Sequence, residues 1–126
     1  MQLLIKNAKL RNQEALVDIA IDGGLIQAVG KDVGQQADRV IDAGGALVTP
    51  ALIDPHIHLD KVNIFDVVRK NESGTLKEAI EIIWDKKKTY TDEDVLERSS
   101  DVVYKALKNG TLFMRTHVDV DTIGGL

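Results

Sequence analysis

The spacing of apolar residues changes along this chain, and that change limits the folds it can adopt. Before residue 60 apolar side chains alternate with polar ones or form short runs, as in β-strands. After residue 74 they recur at helical spacing, and the segment TLFMRTHVDVD at 111–121 is strand-like again. The pattern in the second half of the chain therefore predicts a strand, two helices and a second strand, in that order. A crossover of this kind makes the two strands parallel neighbours in one sheet.

The alternating pattern in the first 48 residues predicts short strands separated by glycines. The segment ALVDIAID at 15–22 has alternating apolar positions, and Gly23-Gly24 and LIQAVG at 25–30 follow it. This is the pattern of a β-hairpin. A second pair, Gly44-Gly45, predicts a turn of the same kind. We expect residues 1–50 to form part of a small β-sandwich and residues 51–126 to form a separate domain.

Both helices are predicted to begin at a threonine. Thr75 and Glu78 have the spacing of a capping box, and Thr91 precedes the second apolar helical stretch. Asn109-Gly110 is typical of a helix end. Trp84 lies on a helix face and is expected in the core.

Composition excludes several classes of function. The chain has 126 residues, a net charge of −4 and no cysteine. This charge argues against a nucleic-acid or acidic membrane surface, and the lysines of DKKK at 85–88 are expected to be solvated. Without cysteine there is neither a disulfide framework nor a thiolate metal site. No apolar run reaches transmembrane length and no signal peptide is visible, so a cytoplasmic protein is the expectation.

Two of the three histidines stand in TPALIDPHIHLDK, residues 49–61. If this strand continues to Asp60, then Asp54, His56, His58 and Asp60 share one face, because side chains alternate along a strand. Two imidazoles so placed can hold one divalent ion. The alternative is a surface strand whose histidines bind nothing. The position at a strand end, before a long crossover, favours the metal site.

The third histidine, His117, lies at the corresponding end of the next strand, with Asp119 on its face. It either lines the mouth of the site or is a strand-end histidine satisfied by hydrogen bonds, and alternation does not decide between these roles. Lys61 either holds a carboxylate of the site or is solvated. We take Asp60, Lys61, His117 and Asp119 as candidate substrate-side or supporting residues.

Three segments together resemble a known family: PHIHLDK, SGTLKEAIEIIWDKKKTYTDEDV and ALKNGTLFMRTHVDV. They are similar to the N-terminal part of the amidohydrolase superfamily, specifically its cytosine-deaminase-like branch. The resemblance is strong over residues 46–121 and looser over 1–45. Lys61 stands where some deaminases of this branch have threonine, which leaves the substrate open.

The resemblance implies an α/β fold in which residues 51–126 begin a metal-dependent-hydrolase (β/α)8 barrel, with about two of its eight strands. It implies that His56 and His58 bind one divalent metal ion, zinc or iron. The other ligands and the acid/base residue are expected beyond residue 126. The implied reaction is hydrolysis of a non-peptide C–N bond, namely deamination of a cytosine-like cyclic amidine, a small nucleobase-like molecule.

A barrel of this kind takes about 250 residues, so we expect the 126-residue chain alone to be an incomplete, inactive fragment. Its uncovered apolar faces are expected to cause self-association. Two alternatives stay open. One is a ring-opening cyclic amidase of the same superfamily. The other is a non-enzymatic fragment that serves interaction or oligomerisation, with vestigial histidines.

Overall fold

The computed structural model describes residues 1–34 and 36–124, and the chain divides into an N-terminal unit, Met1–Pro50, and a C-terminal unit, Ala51–Leu126. The N-terminal unit contains strands β1 (Leu3–Ala8), β2 (Val17–Asp22), β3 (Leu25–Gly30) and β4 (Arg39–Asp42). The C-terminal unit contains β5 (Leu52–Ile57), two 3-10 turns (Leu59–Lys61 and Phe65–Val67), helices α1 (Leu76–Lys87) and α2 (Asp92–Lys108), and β6 (Thr111–Thr116). The chain is thus α/β.

The N-terminal unit is one four-stranded sheet in the order β3-β2-β1-β4. The predicted hairpin is confirmed: β2 and β3 are antiparallel, and both residues of the turn, Gly23 and Gly24, have positive φ. The second glycine pair forms the predicted turn, closed by the bond from the Ala46 N–H to the Ala43 carbonyl at 2.8 Å, but the chain does not fold back into a second hairpin there. Strand β4 runs parallel to β1, and Leu47 continues beside β1 by bridging to Lys9. After β4 the backbone keeps bonding to β1, as in the bond from the Ala43 N–H to the Lys6 carbonyl.

The C-terminal unit has the predicted crossover. Strands β5 and β6 pair in parallel, with Leu52 opposite Thr111 and Ile57 opposite Thr116, and both helices lie between them in the chain. A strand–helix–strand connection of this type is the repeating element of a (β/α)8 barrel. The assignment of these two strands to such a barrel stays a prediction.

Strand β5 ends three residues earlier than predicted. It stops at Ile57, whose carbonyl accepts the His117 N–H at 2.8 Å, and the Leu59 N–H then turns to the Thr116 hydroxyl at 3.3 Å. Residues 59–61 form a 3-10 turn instead of a strand. Alternation along a strand therefore does not extend to Asp60, and the predicted single face from residue 54 to residue 60 is wrong.

Helix α1 begins at Thr75 as predicted, but its capping box is incomplete. The Thr75 hydroxyl accepts the Glu78 N–H at 3.3 Å, whereas the Glu78 carboxylate reaches past Thr75 and accepts the Ser73 N–H at 2.7 Å. Hydrogen bonds from the Ser73 hydroxyl and N–H hold the pKa of Glu78 at about 2. Helix α2 begins as predicted, with the Thr91 hydroxyl accepting the Asp94 N–H at 3.1 Å.

A buried arginine of α2 fixes the turn that follows the two histidines. Arg98 is 9% exposed, and its guanidinium donates to the carbonyls of Val62 at 2.7 Å and Asp60 at 3.3 Å. On the next residue, the Ser99 hydroxyl donates to the Leu59 carbonyl at 2.8 Å. Helix α2 therefore donates hydrogen bonds to three carbonyls of this turn. These bonds determine where the side chains of the turn lie.

Several apolar side chains of the C-terminal unit that would be expected in a core are exposed to solvent. Trp84 is 43% exposed, so its prediction as a core residue is wrong, and Leu76 is 77% exposed, while Ile82 is buried. Large apolar side chains on both strands are exposed as well, namely Leu52, Ile53, Leu112 and Phe113. Self-association through such faces stays a prediction. Among the described residues no helix is long and apolar enough to span a membrane.

We expect Arg98→Met to lower the free energy of unfolding by about 1 to 2 kcal/mol, because it leaves two partly buried carbonyls without a donor. The measurement is urea unfolding at neutral pH. The matched control is Lys105→Met, which removes an exposed α2 cation that also pairs with an aspartate one turn away, Asp101. Equal stability of the two variants would contradict a structural role for Arg98.

Candidate metal centre

The carboxyl ends of β5 and β6 bring all three histidines together. The ring centroids of His56 and His58 are 5.3 Å apart, and His117 lies 4.2 Å from His56 and 5.8 Å from His58. His56 and His117 are stacked, with 26° between their planes. The structure therefore places the two predicted ligands side by side, with His117 against one of them.

One imidazole of this cluster faces two carboxylates. His58 Nδ1 lies 3.7 Å from Oδ1 of Asp60 and 3.4 Å from Oδ1 of Asp119. His58, Asp60 and Asp119 each offer a ligand atom, and these atoms lie within 4.8 Å of one another. Within residues 1–34 and 36–124, the buried His58 Nδ1 and Asp60 Oδ1 have no hydrogen-bond partner. Imidazole nitrogens are ligands of zinc and of related divalent ions, and a carboxylate beside the second ring nitrogen is the usual surrounding of a ligating histidine, so this cluster fits a metal.

Two lysines neutralise the acidic side of the cluster. Lys61 donates to Oδ2 of Asp119, and this hydrogen bond holds the pKa of the Asp119 carboxyl below its usual range. Lys87 donates to Oδ2 of Asp121 at 2.5 Å and to the Asp119 carbonyl at 3.2 Å. The bond from Lys87 lowers the pKa of Asp121. Lys61 thus contacts a carboxylate of the site, the first of its two predicted alternatives.

The sequence interpretation missed Lys87. The DKKK run was expected to be solvated, yet the side chain of Lys87 is only 3% exposed. The available signal was its position, because Lys87 follows Ile83 by four residues and so continues the apolar face of α1. A lysine on that face needs a buried acidic partner, and Asp121 is that partner.

An apolar cavity of about 470 Å³ opens beside these ion pairs. Its apolar wall includes side chains from α1 and from the second 3-10 turn, among them Phe65, Leu76, Ile80, Ile83 and Trp84. Its polar side is formed by Lys61, Lys87, Asp119 and Asp121. A concave apolar surface with a few polar groups at one side is typical of small-molecule sites.

The sequence pattern of the amidohydrolase family matches residues 39–126. The chain belongs to the amidohydrolase family. It is 32% identical over 125 residues to the N-isopropylammelide isopropyl amidohydrolase of a Pseudomonas species, a match that covers 96% of this chain and 31% of the relative. Allantoinase of Escherichia coli is 44% identical over 61 residues, which are 47% of this chain and 13% of that enzyme.

Parts of two solved enzyme structures have the same fold as this chain. A 5-methylcytosine deaminase from Klebsiella pneumoniae, liganded with 5-fluorocytosine, superimposes with a TM-score of 0.80 and 37% identity, over 92% of this chain and 29% of that one. An atrazine chlorohydrolase from Arthrobacter aurescens complexed with zinc gives a TM-score of 0.68 and 26% identity, over 91% of this chain and 28% of that one. The chain therefore spans about a third of the length of these relatives. The resemblance predicted from the sequence motifs is confirmed for the family and for its deaminase neighbour.

The pairing of Lys87 with Asp121 predicts a pH-dependent contribution to stability. Because the folded state lowers the pKa of Asp121, this contribution is present above the ordinary aspartate value of about 3.9 and is lost as the pH falls through the lowered value. We expect Lys87→Met to reduce the free energy of unfolding at neutral pH, and the deficit to shrink in acid. Urea unfolding over a pH series measures this.

The matched control for that series is Lys88→Met. Lys88 is the next residue and also pairs with an aspartate, Asp85, but both partners are exposed, so little change is expected at any pH. A deficit in Lys87→Met that stays constant from neutral to acid pH would contradict the assigned ion pair.

Proposed function

We propose that this chain carries the first metal ligands of a hydrolase that acts on non-peptide C–N bonds. In this proposal His56 and His58 hold one divalent ion, and the C-terminal unit is the opening part of a (β/α)8 barrel. Membership of a family of hydrolases supports the reaction class, and the zinc complex of the atrazine chlorohydrolase supports the metal. The complete site also needs ligands and an acid/base residue beyond residue 126.

One observation carries this proposal: the imidazoles of His56 and His58 lie 5.3 Å apart at the carboxyl end of a strand in a parallel pair. In parallel α/β architectures the strands' carboxyl ends are where catalytic groups are placed. Here Ile57 is held by β6, and the turn after His58 is held by α2. The two rings are therefore presented from a fixed backbone, as a metal site requires.

A bound zinc or iron would supply acidity, because such an ion lowers the pKa of a coordinated water to about 7. The residues of this chain would hold the ion and compensate charge around it. Asp60 and Asp119 place negative charge beside His58, and Lys61 neutralises part of it. The cavity beside Lys61 offers an apolar wall for a planar ring.

We propose deamination of a cytosine-like cyclic amidine as the reaction. Water adds its oxygen to the ring carbon, the exocyclic C–N bond breaks, and the protonated nitrogen leaves as ammonia. The support is the 5-methylcytosine deaminase, whose fold and sequence match over 92% of this chain. The N-isopropylammelide amidohydrolase supports the broader class of C–N bond hydrolysis on a ring.

A ring-opening cyclic amidase is the second candidate. The observation that favours it is the 44% identity to allantoinase. That match covers 47% of the chain, whereas the deaminase match covers 92%. The deaminase proposal therefore rests on the longer comparison. A non-enzymatic role for the chain has no comparable support among these relatives.

The metal assignment predicts that His56→Ala combined with His58→Ala abolishes tight zinc or iron binding. We expect about one ion per chain in the complete gene product and a small fraction of that in its double variant, because affinity depends on the number of ligands, and for the same reason the 126-residue chain alone should bind zinc weakly. Mass spectrometry of dialysed protein measures metal content. Asp85→Ala, an exposed change on α1, is the control and should keep the metal. Equal metal content in all three proteins would refute the ligand assignment.

The substrate assignment is tested with cytosine, 5-methylcytosine, N-isopropylammelide and allantoin. The complete gene product should release ammonia from a cytosine-type base, while the 126-residue chain alone should be inactive because it lacks the remaining ligands. Ammonia is measured by a coupled enzymatic assay. Consumption of allantoin without deamination of any base would favour the second candidate. Turnover by the 126-residue chain would contradict the predicted inactivity of the fragment.

A further inference from the structure

The two carboxylates beside His58 are each anchored through one oxygen and present the other to the imidazole. Oδ2 of Asp119 accepts from Lys61, and Oδ2 of Asp60 accepts the Asp119 N–H at 3.5 Å. The two remaining oxygens, both Oδ1, lie 3.4 and 3.7 Å from His58 Nδ1. The same nitrogen of the ring is therefore approached by two negatively charged acceptors.

This arrangement determines which ring nitrogen of His58 carries the proton. A neutral imidazole has one N–H and one lone pair. With the lone pair on Nδ1, that nitrogen would face two carboxylates and repel both. With the proton on Nδ1, it faces two hydrogen-bond acceptors at distances that a small ring rotation closes. The proton therefore belongs on Nδ1, and the lone pair belongs on Nε2.

The lone pair is what a metal needs. A ligating histidine binds through one nitrogen, and a carboxylate on the other nitrogen fixes both the tautomer and the ring orientation. Asp60 and Asp119 occupy that second position relative to His58. His56 has a different support, because its ring stacks on His117 at 4.2 Å. The two neighbouring imidazoles are thus oriented by different means.

Lys61 acts on this arrangement through Asp119. The Asp119 side chain is 39% exposed, so without an anchor it is free to rotate toward solvent. The ion pair with Lys61 holds Oδ2 and thereby keeps Oδ1 directed at the ring. Asp60 needs no such cation, because its side chain is 13% exposed and the turn that carries it is bonded to Arg98.

We infer that Asp60 and Asp119 are positioning residues that hold His58 in the tautomer protonated on Nδ1, and that Lys61 fixes Asp119 for this task. The inference rests on the proposed function where it takes His58 as a metal ligand. The tautomer itself belongs to the metal-free protein and is measurable without activity.

The experiment uses protein labelled with 15N in its three histidines, freed of metal, at about pH 8.5, where an ordinary imidazole is neutral. Long-range 1H–15N correlation spectra distinguish a protonated ring nitrogen from one with a lone pair. The His58 signals are assigned by their loss in His58→Gln. We expect Nδ1 of His58 to be the protonated nitrogen in the unaltered chain.

Variants then test the cause. Asp60→Ala combined with Asp119→Ala should release His58 into a mixture of tautomers and weaken zinc binding about 10- to 100-fold, the usual loss when such a partner is removed. Lys61→Met should change both properties in the same direction, by less. Asp85→Ala removes a carboxylate that is also paired with a lysine, on the exposed side of α1, and should change neither. Circular dichroism verifies that each variant is folded.

Each result separates the tautomer inference from the proposed function. A proton on Nε2 of His58 in the unaltered chain would overturn the inference, and so would an unchanged tautomer in the double variant. A changed tautomer with unchanged zinc affinity would overturn the positioning role. Unchanged zinc affinity in His58→Gln would overturn the proposed metal site alone, since the tautomer is measured without metal.

Discussion

The candidate metal centre depends on the hydrogen bond from the His117 N–H to the Ile57 carbonyl. This is the last hydrogen bond between the backbones of β5 and β6 and their continuations, and beyond it side chains such as Thr116 and Asp60 make the contacts. His56 and His58 flank Ile57, and His117 is itself the donor. A single backbone hydrogen bond thus fixes the positions of all three rings relative to one another along the strand direction. Because parallel strands expose their carboxyl ends at one edge, the histidines face the same edge without further adjustment.

Charge compensation is the second requirement of this region. Asp60 and Asp119 lie beside His58, Lys61 pairs with Asp119, and the buried Lys87 pairs with Asp121. A buried ammonium without a partner would carry a large desolvation cost. The arrangement explains why α1 ends in a lysine that points inward, and why the loop after β6 carries two acids. Charge, rather than apolar packing, joins this loop to α1.

The sequence predicted what depends on local periodicity and failed where distant contacts decide. The β2–β3 hairpin, the ends of α2 and the parallel crossover follow from glycine pairs, caps and apolar spacing, and all are observed. The end of β5 depends on bonds from β6, far away in the chain, so alternation alone placed Asp60 in the strand. Gly44-Gly45 resembled a hairpin turn because the pattern does not say which strand the chain pairs with next. Lys87 was missed because its partner, Asp121, is 34 residues away.

The turn at Leu59–Lys61 is held from the inside, by Arg98 and Ser99 of α2, and this has a consequence for how the molecule can diversify. The segment from residue 63 to residue 75 leaves that turn, forms part of the cavity wall and rejoins the chain at the Thr75 cap. Its first two residues are tied to the unit, because the Asn63 amide donates to Asp101 of α2 and Ile64 is buried, whereas Phe65 in the cavity wall is exposed. Replacement of the exposed part of this segment, from Phe65 onward, would therefore reshape the cavity wall while the turn that carries His58 keeps its bonds to Arg98 and Ser99.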